Sequence, residues 1–300
     1  MRPITAGHSR QGVSLLEQLE TLRDRTFRRL PVLRVHGPAR ALRFINEVGL
    51  ASLFATRGVN LPCLWVAVCG RRDPQFPHHS HHDPEVALAW NLKDQLPAEG
   101  KVFYAKLVRG KPTFVAWDIF PCVYRLLGPQ HDYIRQYRDG LLSPAAKAIL
   151  DALHRKRPQE TFELKLATNC ARPSQRRVFD AAMAEVQQQL YVAMREVRYD
   201  PFTYVWDLVE ARYPEPVARS RECSQRQAAY RLAQRYFASV IYATIAQLAS
   251  VLGDRSLAQS ALVSLVRDGV VDADCTVEGL RGRWLVVSAS TRERLKPNAA

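Results

Sequence analysis

The chain has 300 residues, 47% of them apolar, enough for two or three small domains with real cores and too apolar for a disordered chain. No apolar run reaches the roughly 18 residues that a membrane span needs, and the opening MRPITAGHSRQG lacks the apolar core of a signal peptide, so a cytoplasmic protein is expected. Forty-three Lys and Arg against twenty-nine Asp and Glu give a formal net charge of +14 and favour a polyanionic partner, nucleic acid before a membrane surface.

Six cysteines, at 63, 69, 122, 170, 223 and 275, form no CxxC pair and no zinc-type cluster with histidine. They read as small buried hydrophobes in a reducing compartment. No cofactor is expected.

The first helix spans Ser14 to Arg29, with Ser14 as cap, Glu17 completing a capping box, and Leu15, Leu16, Leu19 and Leu22 as its apolar stripe. A second helix starts at Pro38, buries Ala41, Ile45 and Val48, and stops at Gly49. The apolar segment from Leu50 to Phe54, the basic turn Arg57-Gly58 and the run ending in Leu64-Trp65 complete a compact module with a short strand or two. RRDPQFPHHSHHD, from Arg71 to Asp83, is a loop. Its His78, His79, His81 and His82 invite a metal, but a Pro-flanked polar run offers no fixed geometry, so none is expected. Two β-rich runs, Val102 to Tyr104 and Thr113 to Trp117, flank Arg109-Gly110-Lys111-Pro112 as a hairpin, which places Lys106, Arg109 and Lys111 where a phosphate backbone can lie.

Ser143-Pro144 opens a second unit: the helix AAKAILDAL, a short helix from Thr161 to Leu166, a turn at 171–174, and a third helix whose one face is Val178, Ala182, Val186 and Leu190, with Phe179 and Met183. Leu190 to Val197 and Phe202 to Leu208 form its hairpin. YPEPVARSRECSQ, marked by Pro214 and Pro216, reads as a linker. Helices from Arg226 to Val240, Thr244 to Leu252 and Ser256 to Asp268 then precede a hairpin of Val270-Val271 with Arg283 to Val287, and the tail after Arg294 is expected to be disordered.

The pattern of three helices and a hairpin appears in 143–208 and again in 226–288, with a looser copy at the start. The expected fold is therefore α+β and mostly helical: three tandem winged-helix modules with short β-hairpin wings. The boundaries are an N-terminal helical extension at 1–35, a first module with a β insertion at 36–140, a second at 143–212 and a third with a C-terminal β element at 226–300. In a helix-turn-helix the start of the recognition helix meets base edges. In the middle module that start is Arg172, Ser174, Gln175, Arg176 and Arg177, residue types that take guanine, adenine and phosphate. With Lys106, Arg109, Lys111 and Arg57 they form the candidate surface for double-stranded DNA. The third module's Asp254-Arg255-Ser256 is less basic.

The segment Arg40 to Gly70, the runs WNLKDQLP and GKPTFV, and the two later modules resemble the winged-helix DNA glycosylase superfamily that unhooks interstrand crosslinks and removes alkylated purines. The resemblance implies tandem winged helices and a role in DNA repair, in a divergent relative. The active enzymes carry Gln-apolar-Gln or Gln-apolar-Asp after a Gly-Leu like Gly49-Leu50, where this chain reads Ser52-Leu53-Phe54. Serine and phenylalanine do not position a water as that pair does, so no catalytic residue is carried over. Glu47 and Asp118 are the nearest acidic alternatives. Four readings follow: a duplex-binding relative without the catalytic motif, an active glycosylase using other residues, a winged-helix transcription regulator, and a helical interaction protein whose charge is incidental.

Overall fold

A computed structural model describes residues 13–77 and 82–295. His78, His79 and His81, and the tail from residue 296, lie outside the described residues. The chain is mostly helical with three small antiparallel sheets, and one order of elements occurs three times: helix, short strand, two helices, hairpin. In each sheet the short strand pairs with the second strand of the hairpin, leaving the first hairpin strand at the edge.

Helix α1 (Leu15–Thr26) precedes the first repeat. Ser14 caps it by accepting from the Glu17 amide at 3.3 Å. The Glu17 carboxylate pairs with Arg72 at 3.2 Å, which corrects the expected capping box. The first repeat comprises α2 (Pro38–Val48), β1 (Leu50–Ser52), α3 (Leu64–Cys69), α4 (Pro84–Ala98), β2 (Phe103–Lys106) and β3 (Pro112–Val115). Pro38 at the first position and Gly49 at the end bound α2 as the sequence predicts, and Ala41, Ile45 and Val48 are buried. Gly49 has φ +79° and takes Arg235 across it; a Cβ there would lie 2.7 Å from the Arg235 Cγ.

Two short helices, α5 (Phe120–Leu127) and α6 (Tyr133–Arg138), lead to the second repeat. It contains α7 (Pro144–Arg155), β4 (Gln159–Glu160), α8 (Thr161–Ala167), α9 (Arg176–Gln188), β5 (Val192–Tyr199) and β6 (Phe202–Leu208). Ser143 caps α7, with its hydroxyl accepting from Ala146 at 3.1 Å. The segment read as a linker is helical: α10 (Val209–Arg212) and α11 (Pro214–Ser220). Pro214 stands at the start of α11, where its missing N–H costs nothing, and Val217 is buried.

The third repeat is α12 (Gln225–Val240), β7 (Tyr242–Ala243), α13 (Ile245–Leu252), α14 (Arg255–Arg267), β8 (Val271–Cys275) and β9 (Trp284–Val287), followed by α15 (Ala289–Leu295). Helix α12 is the spine of the molecule. Its Ala228, Ala229 and Ala233 allow close approach of neighbouring helices, and Leu232, Tyr236, Phe237 and Val240 fill the interior. First and third repeats thereby share one hydrophobic core. The second repeat has its own, around Ile149, Leu150, Leu153, Phe179 and Val186. All six cysteines are free, and Cys63, Cys69, Cys122 and Cys170 are buried.

A polar knot closes the shared core. The Arg23 guanidinium, 9% exposed as a residue, donates to the carbonyls of Val240 at 2.7 Å and Tyr242 at 3.0 Å and to the Asn60 side chain at 2.8 Å. It also lies 3.7 Å above the Tyr242 ring. Glu20 accepts from Tyr242 and pairs with Arg23 at 3.3 Å and Arg29 at 2.7 Å. Burial pushes the Glu20 carboxyl up, but the Tyr242 hydrogen bond and the Arg29 and Arg23 charges outweigh it and leave it below its ordinary value.

Replacing Arg23 by Met takes the donor from the buried Val240 carbonyl, one of two donors from the Tyr242 carbonyl, a donor from the Asn60 side chain and one of two cations from the half-buried Glu20. Urea unfolding should show a loss of about 3 kcal/mol. Because the folded pKa of Glu20 is depressed, its contribution is whole above the unfolded carboxylate pKa and is lost as pH falls through the folded one. Glu20→Gln should therefore flatten the acid limb of a stability-against-pH curve.

Candidate nucleic-acid interface

The third helices of the repeats are α4, α9 and α14, and their starts differ. Asp83 caps α4 by accepting from the Val86 amide at 2.9 Å, and Glu85 follows, paired with Arg71 at 3.0 Å. Asp254 caps α14 by accepting from Leu257 at 2.7 Å. Helix α9 has neither an acidic residue in its first turn nor a side-chain cap. It is entered through a tight turn at Pro173–Gln175, and Arg172, Ser174, Gln175, Arg176 and Arg177 are all exposed. Arg176 pairs with Asp180 at 3.6 Å, whereas Arg172 and Arg177 have no carboxylate partner among the described residues. Val178 is 46% exposed and so leaves the expected apolar face, whose Phe179, Ala182, Met183 and Val186 are buried.

Lys106, Arg109, Lys111 and Arg57 lie at the other end of the same helix. The Lys106 amide donates to the Gln187 side chain at 3.3 Å, and a Cβ on Gly110 would stand 2.8 Å from the Gln188 amide nitrogen. The Arg57-Gly58 turn reaches the same place, with a Gly58 Cβ 3.6 Å from the Arg109 Cζ. None of these four cations has a carboxylate partner among the described residues. The structure thus gathers Arg57 with Arg109 and holds that cluster apart from the Arg172–Arg177 group. From Arg176 to Gln187 the helix rises about 16 Å.

At the positions where the resemblance places the water-activating pair, Ser52 is 2% exposed, with its hydroxyl facing the Pro62 carbonyl at 3.4 Å. Leu53 is fully buried. Phe54 meets the rings of Trp65, Phe76 and Trp90 at 6.2, 5.5 and 5.4 Å. Glu47 pairs with Arg28, and Asp118 pairs with Arg235 at 3.2 Å. Among the described residues no group of three or more His, Cys, Asp or Glu side chains is placed to hold a metal.

The sequence reading missed a polar cluster between the first and second repeats. Lys93 and Asp94 of α4 are buried as an ion pair against the hairpin of the second repeat. The Lys93 ammonium donates to the Tyr204 hydroxyl, which donates to Asp94 at 3.2 Å. Burial pulls the Lys93 pKa down, and the Asp94 carboxylate opposes it. Burial and then the Asp94 charge raise Tyr204, which keeps its hydroxyl protonated. The one signal in the sequence was a charged pair on a helix between the apolar Leu92 and Leu96.

The molecule is an α+β protein of three like repeats with a basic, uncapped helix start on the middle one. The chain belongs to the AlkZ-related family: the family described as "AlkZ related" matches residues 35–253. No curated protein matches the chain. Among solved structures, the Streptomyces sahachiroi DNA glycosylase AlkZ is similar, with a TM-score of 0.56 over 95% of this chain and 72% of that one at 14% sequence identity. A likeness at that identity speaks for the fold.

Asp94→Asn leaves a buried ammonium without its counter-charge and should cost about 3 kcal/mol in urea unfolding. Replacing both partners, Lys93→Met with Asp94→Leu, should recover most of that loss, since it removes the buried charges together.

Proposed function

We propose that the chain is a double-stranded DNA-binding protein of DNA repair, built of three winged-helix modules at 36–140, 143–212 and 226–300 behind the helical extension 1–35. The threefold order of helix, strand, two helices and hairpin supports that assignment, because a winged helix has that order. The observation that carries the DNA reading is the start of α9. Of the three third helices it is the one whose start carries arginines and has no aspartate cap. Cations at a helix N-terminus oppose the dipole unless an anion lies between them, and a phosphate suits both. Arg172, Arg176 and Arg177 then take phosphates or guanine edges, with Gln175 available to adenine. Lys106, Arg109, Lys111 and Arg57 contact the backbone about 16 Å further along, a span greater than the roughly 12 Å width of the major groove. The net charge of +14 draws the duplex in at long range.

Membership of the AlkZ-related family supports a substrate of damaged DNA. Catalysis by the superfamily's usual route is not part of the proposal. Breaking a glycosidic bond needs a group that positions water. The Ser52 hydroxyl is engaged beneath the surface, and Phe54 has no polar atom in its side chain. Among the described residues no helix is long and apolar enough to cross a membrane, and the proposed place of action is the cytoplasm, on the nucleoid.

Duplex affinity should fall log-linearly with salt, with a slope near −0.9 for each phosphate contacted. Arg172→Ala with Arg176→Ala and Arg177→Ala should shrink that slope by about two to three and weaken binding at every sequence. A flat salt response, or unchanged binding by the triple variant, contradicts the proposal.

Incubation with alkylated duplex should produce no abasic sites. Base release abolished by Glu47→Gln or Asp118→Asn would instead establish an active glycosylase with displaced catalytic residues.

A further inference from the structure

Seven side chains form a line across the first and second repeats. Phe76 meets Phe54 at 5.5 Å, and Phe54 meets Trp90 at 5.4 Å. The Lys93 ammonium stands 5.0 Å from the Trp90 ring and 4.7 Å from the Tyr204 ring. Tyr204 meets Phe202 at 5.2 Å, and Phe202 meets Tyr199 at 6.0 Å, at the tip of the β5–β6 hairpin. Phe76, Trp90, Phe202 and Tyr199 are 51%, 47%, 57% and 67% exposed. Rings this open are costly to leave in water, and together they mark a binding surface.

The line has two ends with different origins but one geometry. On the hairpin, Phe202 and Tyr204 are two residues apart on β6 and so share a face. On α4, Trp90 and Lys93 share a helical face, and the buried Lys93–Asp94–Tyr204 cluster fixes the two repeats against each other. The rings of Trp90, Phe202 and Tyr204 therefore keep their spacing as one body.

Charge identifies the occupant. A chain of net charge +14 repels basic partners and attracts polyanions, and Arg57, which has no carboxylate partner among the described residues, lies three residues beyond Phe54. Successive aromatic rings on a protein of positive net charge suit a single strand, whose bases each offer a π-face, and not a duplex, whose bases are already stacked. We propose that this line of rings is a stacking track for the unpaired nucleobases of single-stranded DNA, a second surface beside the duplex face of α9. It rests on the nucleic-acid reading above for its polyanion, but uses none of the same residues except Arg57.

The test uses the full chain with a short labelled oligothymidylate and, separately, a duplex without unpaired bases. Trp90→Ala and Phe202→Ala should each weaken oligothymidylate binding about tenfold and leave duplex affinity unchanged. Trp90→Phe should retain most of the single-strand affinity. The Arg172, Arg176 and Arg177 triple variant should show the reverse pattern, losing duplex and keeping oligothymidylate. Parent-level oligothymidylate binding by both alanine variants overturns the track, as it would if the rings served a protein partner. Equal loss for both DNAs also overturns it. If duplex binding fails in the parent while oligothymidylate still binds through Trp90, the track stands and the duplex proposal falls.

Discussion

The buried guanidinium of Arg23 is the contact on which the arrangement of the repeats depends. It draws α1 onto two carbonyls at the end of α12 and the start of β7, more than two hundred residues away, and onto Asn60 in the loop after β1. A guanidinium is suited to this place because its rigid fork serves several acceptors at once while its face rests on Tyr242. The bonds to the Val240 and Tyr242 carbonyls are buried, so the knot is worth more than a surface pair of the same length. It ties α1 to both the first and the last repeats, whose shared core α12 fills.

That joining leaves the middle repeat with a core of its own, held to the rest by α4, the first hairpin and the α10–α11 segment. Helix α9 is consequently fixed at one end and free at the other. Gln187 is buried against the first hairpin, whereas the Arg172–Arg177 end projects. The same packing gives α4 two working faces, with Ala89, Leu92 and Leu96 in its own core and Lys93 and Asp94 against the second hairpin. One set of contacts between repeats thus positions both the basic helix start and the line of aromatic rings.

Much of this was legible in the sequence where the physics is local. Pro38 and Gly49 bound α2, Ser143-Pro144 starts α7, and periodic apolar residues mark α9, α12, α13 and α14, because caps and stripes act within a few residues. Pro214 misled for a related reason: it is a breaker inside a helix and a starter at its first position, and what decides is the burial of Val217, which is a tertiary fact. Helix α5 was missed because it is only eight residues long, so its apolar stripe runs for little more than two turns. Of the residues read as a DNA-facing surface, Arg57, Arg109, Lys111, Arg172, Arg176 and Arg177 are exposed cations and Lys106 is half-exposed. Their division into two groups at opposite ends of α9 comes from Gln187 and Gln188 meeting the first hairpin, a contact about eighty residues apart in sequence. Lys93, Asp94 and Tyr204 were invisible for the same reason: a buried ion pair has no meaning until the surface that buries it is known.

The central claim is that the open start of α9 and the Arg57–Arg109 cluster meet duplex DNA together. Hydrogen–deuterium exchange of the full chain, with and without a saturating duplex, tests it most directly. The account predicts protection at residues 172–178 and at both 57–58 and 106–111, with the starts of α4 and α14 unchanged. Protection at either of those aspartate-capped starts, with none at 172–178, would contradict it.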